Sequence, residues 1–287
     1  MRLGLSDAIL PERMDLITAE LARRVRELGF SGVFTRFTEH DPFAVTEAQC
    51  RRVRELFEAE GVAMFQATGY RPALVHPDES ARREASRTLR EALRIAGQLG
   101  ARAIDTGPGS MSPRGPWFPD PYNYTPQALE QLVKSVRECV GAAEEHGVLL
   151  CLEGHQLVTL RSAEVMREVI DAVDSPWVRV DFDPVNWITL ETVYETGPAI
   201  GAMLETLGDR IASAHVKDVF VEDRMVVHIE HCASGKGILD TGAVLRGIER
   251  LDPEAPVIVE ALSDDEVPEV RAFLMRVAEE NGITVLD

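Results

Sequence analysis

The chain of 287 residues carries 48 acidic side chains against 30 Lys and Arg, a formal charge of −18. A protein of that sign repels a phosphate backbone, which argues against nucleic-acid partners. The four cysteines show no CxxC spacing, the opening MRLGLSDAILPERMD lacks an apolar core for a signal peptide, and no run approaches transmembrane length; a reducing cytoplasm, with no membrane and no disulfide framework, is the expectation.

In chain order, short apolar or β-branched runs at 2–6 (RLGLS), 32–37 (GVFTRF), 62–68 (VAMFQAT) and 101–106 (ARAIDT) read as strands. Helical periodicity fills the gaps at 15–28, 46–60 and 80–99, the last through Leu89, Leu93, Ala96 and Leu99. Its arginines, Arg82, Arg83, Arg87, Arg90 and Arg94, alternate with Glu84 and Glu91 and predict a solvated helix face. Four further runs follow, VLLCLEGH at 148–155, VRVDFDPVN at 178–186, IASAHVKD at 211–218 and PVIVEAL at 256–262. Helical patterns at 125–146, 162–173, 195–207, 241–250 and 266–280 alternate with them. Eight strands alternating with eight helices predict an α/β fold, a (β/α)8 TIM barrel, as a single domain over 1–287 without a linker.

The last four strand-like runs each stop at a residue able to ligate a cation: Glu153, Asp183, His215 and Glu260. Their spacings of 30, 32 and 45 residues each hold one helix with its loops. Barrel strands carry function at their carboxyl ends, and a buried charge left unpaired costs several kcal/mol, so convergence on one metal ion accounts for all four. Three carboxylates and one imidazole form a hard donor set that favours Mn2+ or Mg2+, with Co2+ and Zn2+ as further candidates. Period-two alternation places Cys151, Ser213 and Lys217 on the lumen side with these residues. It does the same for Arg179 and Asp181, which predict a buried charge pair in the lower barrel.

The strand-end LEGH, DPVN and HVKD, the following GKGILD and the final VEAL together resemble the sugar phosphate isomerase/epimerase superfamily, the xylose isomerase-like barrels. The resemblance is strongest from 148 to 262. It implies a divalent-metal-dependent isomerase or epimerase of a small ketose or related hydroxy-keto compound, with Glu153, Asp183, His215 and Glu260 as metal ligands. It also implies that Glu153 and Glu260 double as acid and base, exchanging a proton through an enediolate. Where the family's ketose 3-epimerases carry a substrate-binding histidine, this chain has Asn186, and His155 supplies an imidazole two residues after the first glutamate. His155, Asn186 and Lys217 are therefore the expected substrate contacts, with an ion pair to Asp183 or Asp218 as the other reading of Lys217.

Loops should shape specificity. Residues 105–124 carry Trp117, Phe118, Tyr122 and Tyr124, either as a wall, lid or subunit contact or as a packed surface loop; 219–240 carries His228, His231 and a GKG turn leading to a helix capped by Asp240. At the ends of the second and third strands, Arg36, His40, Gln66 and Tyr70 are further polar candidates, with surface roles as the other reading. The main alternative is a dehydratase of inosose or 3-dehydroshikimate type, which expels a β-hydroxyl as water. An abasic-site endonuclease of the same fold conflicts with the charge, and a non-catalytic sugar-binding barrel with the full ligand set. The partner expected is a small carbohydrate, with a homo-oligomer left open.

Overall fold

The computed structural model describes residues 1–226 and 228–286. Its helices begin where the sequence supplies a cap. Thr46 and Gln49 form a capping box at the start of α2 (Glu47–Ala59), and Asp78 accepts the Ala81 N–H at the start of α3 (Glu79–Leu99). Thr125 followed by Pro126 opens α4 (Pro126–His146). The first helix, α1 (Ala19–Glu27), starts later than its apolar pattern because Thr18 caps it; the residues before form a single 3-10 turn, Met14–Leu16. The remaining helices are α5 (Ala163–Val173), α6 (Thr196–Leu207), α7 (Thr241–Leu251) and α8 (Val267–Glu280).

The strands are β1 (Arg2–Leu5), β2 (Gly32–Thr35), β3 (Ala63–Ala67), β4 (Ala103–Thr106), β5 (Leu149–Leu152), β6 (Val178–Phe182) and β7 (Ile211–Val216), then the ribbon β8 (Asp218–Val221) and β9 (Ile229–Cys232), and β10 (Pro256–Val259). β1 to β7 and β10 pair in parallel and close into one barrel, β10 lying between β7 and β1. The expected (β/α)8 architecture is thus present, as one domain. β8 and β9 form an antiparallel ribbon outside the barrel, an element the 219–240 stretch did not announce.

The large apolar core lies between the strands and the helix ring, while smaller clusters fill the lumen: Phe34, Phe65 and Ile258 in one, Ala103, Cys151 and Ala212 in another. Two register shifts decide what else enters the lumen. Between Val33 and Phe34 the pairing skips a residue of β3, so Phe65 and Gln66 both turn inward; between Val180 and Asp181 it skips one of β7, so Ala212 and Ser213 do the same. One extra residue in a strand re-aims its neighbours, a device common beside active sites.

The arginine-rich face of α3 is only partly solvated, contrary to its expectation. Arg82 has no exposed surface; it binds Glu79 at 3.0 Å and Glu138 at 2.7 Å and bonds Ser135, tying α3 to α4. Arg94 reaches the carbonyls of Pro42 and Val45. No helix of the described residues is long and apolar enough to cross a membrane.

Candidate metal centre

Four strands deliver the four expected side chains to one point. Glu153 directly follows β5, Asp183 follows β6 and caps the turn Pro184–Trp187 by accepting the Val185 N–H at 3.1 Å, His215 lies in β7, and Glu260 follows β10. All four are buried, and one ligand atom from each lies within 4.8 Å of the others. The glycine of LEGH serves this convergence. A Cβ on Gly154 would meet the Leu160 carbonyl oxygen at 2.4 Å and the Trp187 ring at 2.5 Å, so only glycine lets the turn after Glu153 press against the one after Asp183.

His215 is oriented from behind. Its Nε2 lies 2.9 Å from Gln66 Oε1 and 2.8 Å from Asp181 Oδ2, and both can only accept from it. Gln66 and Ser213 in turn donate to Asp181, at 2.7 Å each. Phe34 stacks on the ring with centroids 5.6 Å apart. With the Nε2 proton engaged, Nδ1 points between the glutamates, 3.7 Å from Glu153 Oε1 and 3.4 Å from Glu260 Oε2, and has no hydrogen-bond partner. A buried nitrogen without a partner, facing three carboxylates, with its other nitrogen fixed by a carboxylate, is the arrangement of a metal-binding histidine. The donor set fits a hard divalent cation.

Cations already surround the carboxylates. Lys217 donates to Asp183 and, at 2.5 Å, to Glu260 Oε1, while Arg36 binds Glu260 Oε2 at 3.0 Å and Asp7. Arg71 binds Asp105 and lies 3.5 Å from Glu153 Oε2; Asn186 donates to Glu153 Oε1 at 3.0 Å. Burial pushes each carboxyl up, but these charges decide the outcome. In the metal-free centre a doubly protonated His215 together with Arg71 outweighs burial at Glu153 and holds it at about 2, and Lys217 with the same His215 holds Glu260 well below the usual carboxylate range. Asp183 goes the other way, up to about 8, because burial and the two glutamates outweigh Lys217.

Of the expected substrate contacts, the structure brings Asn186 and Lys217 against the cluster. His155 stands further out, its Nδ1 accepting the Leu157 N–H at 3.1 Å and its ring 6.4 Å from that of Trp117. Lys217 pairs with Asp183, and with Glu260 rather than Asp218. Asp218 instead accepts the N–H groups of Val219, Gly235 and Leu239, and a Cβ on Gly237 would strike it at 2.4 Å. The GKG turn is therefore wound around Asp218 and leads into α7, capped by Asp240.

The expected Arg179–Asp181 pair does not form, because Asp181 is taken up by Gln66, Ser213 and His215. Arg36 and Gln66 enter the site, while His40 and Tyr70 bond loop backbone, His40 accepting from Met14 and Tyr70 donating to Phe37 and His40. Asp7, Arg71 and Asp105 are neighbours of the centre that the strand-end pattern did not single out.

The profile of the xylose isomerase-like TIM barrel family matches residues 22–279. No curated protein matches the chain. Among solved structures, it is similar to a D-psicose 3-epimerase determined in the presence of D-fructose, at 15% identity and a TM-score of 0.73 over 98% of this chain and 100% of the other. It is similar to the 3-keto-D-glucoside 4-epimerase of E. coli at 17% identity and a TM-score of 0.72, over 97% and 99%. A xylose isomerase-like TIM barrel protein of Mycobacterium smegmatis in complex with magnesium has 18% identity and a TM-score of 0.73, over 98% and 97%. At these identities the likeness to solved structures is one of fold.

Proposed function

This chain belongs to the xylose isomerase-like TIM barrel family, and on that footing we propose that it is a divalent-metal-dependent isomerase or epimerase of a small ketose or related hydroxy-keto compound, working in the cytoplasm. The observation that carries the proposal is the convergence of Glu153, Asp183, His215 and Glu260 within 4.8 Å, with His215 Nδ1 unpartnered among the carboxylates. These four would hold the ion, Mn2+ or Mg2+ by the hardness of the donors. When bound, it supplies Lewis-acid polarisation of a substrate carbonyl.

The rest falls to the protein. Glu153 and Glu260 reach the centre from β5 and β10, so one carboxylate takes a proton from the carbon next to the carbonyl and the other returns it on the opposite face. Asn186, beside Glu153, and Lys217, beside Asp183 and Glu260, donate to substrate hydroxyls, and His155 guards the entrance. Burial of all four cluster side chains keeps water from the exchanging proton.

One observation favours a second reading. The Lys217 ammonium sits against Asp183 and Glu260, where it can protonate a departing β-hydroxyl, as a dehydratase requires. A screen of ketoses, inososes and keto-acids with Mn2+ in deuterated water, read by NMR and mass, separates the two. The proposal expects deuterium at the α carbon with otherwise unchanged composition; a product lighter by one water assigns the dehydratase.

A further inference from the structure

Beside the centre a cavity of about 860 Å3 opens between the Trp117 loop, the loop after β6 and the β8–β9 ribbon. Its lining includes His155 and Asn186 and none of the four cluster residues. Since Asn186 hydrogen-bonds Glu153, the cavity begins one side chain away from the centre and runs outward from it. We propose that it is a subsite for a second sugar ring, so that the substrate is a glycoside or disaccharide containing the reacting keto-sugar. For its reacting end this rests on the isomerase reading above.

Size is the first argument. Pockets that enclose a drug-sized ligand measure about 300–1,000 Å3, and a single hexose is far smaller than such a ligand. A monosaccharide held at the four-residue cluster would leave the cavity of about 860 Å3 almost unfilled. Lining chemistry is the second. The wall near the centre is aromatic: Trp117 packs where a Cβ on Gly107 would lie, 2.5 Å from its ring, and Phe118 follows beneath the Arg114 guanidinium. The far rim, on β9 and just before it, carries exposed His228, Glu230 and His231. An aromatic surface for the C–H face of a pyranose, with polar groups at the rim for its hydroxyls, suits a sugar better than an alkyl or aryl group. Charge is the third. Arg114 and Glu230, the lining's charged residues of opposite sign, are both exposed, so no buried cation waits for a phosphate.

The ribbon gives the subsite its outer edge. Val219 lies in β8 and lines the cavity floor, and Asp218 anchors the base of the ribbon through three backbone N–H groups. The base of the ribbon is therefore fixed beside Lys217, the residue before Asp218.

The test is calorimetric, on the Mn2+-loaded protein, with D-fructose, 4-O-glucosyl-D-fructose and 6-O-benzyl-D-fructose as probes. The disaccharide should bind at least about tenfold more tightly than fructose and than the benzyl ether, tenfold being about 1.4 kcal/mol. The exposed substitutions F118A and H231A, neither of which threatens folding, should bring the disaccharide-to-fructose ratio toward one. Equal affinities, a preference untouched by both variants, tighter binding of the benzyl ether, or no measurable binding of any probe would each overturn the subsite. Deuterium exchange on the same sugars tests the isomerase reading separately. Its absence alongside a retained disaccharide preference would remove the reaction and leave the subsite standing.

Discussion

Glu260 is held by cations on both oxygens, Lys217 at 2.5 Å and Arg36 at 3.0 Å, whereas Glu153 has an amide, Asn186 at 3.0 Å, and a guanidinium no nearer than 3.5 Å. The two sides nevertheless share a plan. In each, an arginine bridges the glutamate to an aspartate from the end of another strand, Arg36 to Asp7 after β1 and Arg71 to Asp105 in β4. Asp7 also accepts the Ala261 N–H at 3.3 Å, and both Asp7 and Ala261 adopt positive φ. Strain of that kind persists where surrounding contacts over-determine it. The unequal grip makes Glu260 the more firmly ionised and therefore the weaker base. Under the isomerase reading proposed above, Glu153 is then the expected acceptor of the first proton and Glu260 the group that returns it on the opposite face.

Replacing either glutamate by glutamine keeps an oxygen donor and removes the base, so E153Q and E260Q should each lose at least about two orders of magnitude in turnover while still binding Mn2+. The contrast predicts that E260Q retains deuterium exchange with one epimer and that E153Q does not; near-wild-type turnover in both would remove proton transfer from these groups altogether. Next come the arginines, which act through the glutamates as positioning residues. R36M should cost about tenfold in kcat and R71M less, since partners of this kind are typically worth about 10–100-fold. The KM-against-kcat split is the readout, and equal losses would dissolve the asymmetry. Lys217 competes with any cation for Asp183 and Glu260, so K217M should tighten Mn2+ binding several-fold by calorimetry even as turnover falls. Weaker Mn2+ binding would mean that the ammonium organises the carboxylates instead. The smallest effect belongs to N186A, about two- to threefold in kcat/KM, because one neutral hydrogen bond contributes only about 0.5–1.5 kcal/mol.

The last four strand ends were legible because each of those apolar runs stops at a ligand-type residue, and a buried charge has few satisfactory environments. Glu153, Asp183, His215 and Glu260 are accordingly found together, and so is the barrel that aims them. Asp105 stands inside β4, one residue before the end of ARAIDT, and is paired by Arg71 from the loop after β3. The reach of a long side chain from a loop leaves no periodic trace. The inward turn of both Phe65 and Gln66 depends on register against β2, which belongs to the pair of strands rather than to either sequence. Arg82 shows the same limit from outside the barrel. Its spacing matches its solvated neighbours, but the position of α4 turns it into a buried tie, and the two ribbon strands β8 and β9, four residues each, are too short to stand out from a loop.

Closure of the ring through β1 and β10 also sets a timetable. Glu260 follows the last strand to be synthesised, and its support at Asp7 comes from just after the first, the Asp7–Ala261 bond spanning 254 residues. Loops of that length close late and slowly relative to local contacts. Glu153, Asp183 and His215 sit on β5 to β7 and the turns after them, whereas Glu260 meets its Arg36–Asp7 brace only when β10 pairs with β1. The four-residue donor set proposed to hold an ion is therefore complete only once the barrel shuts.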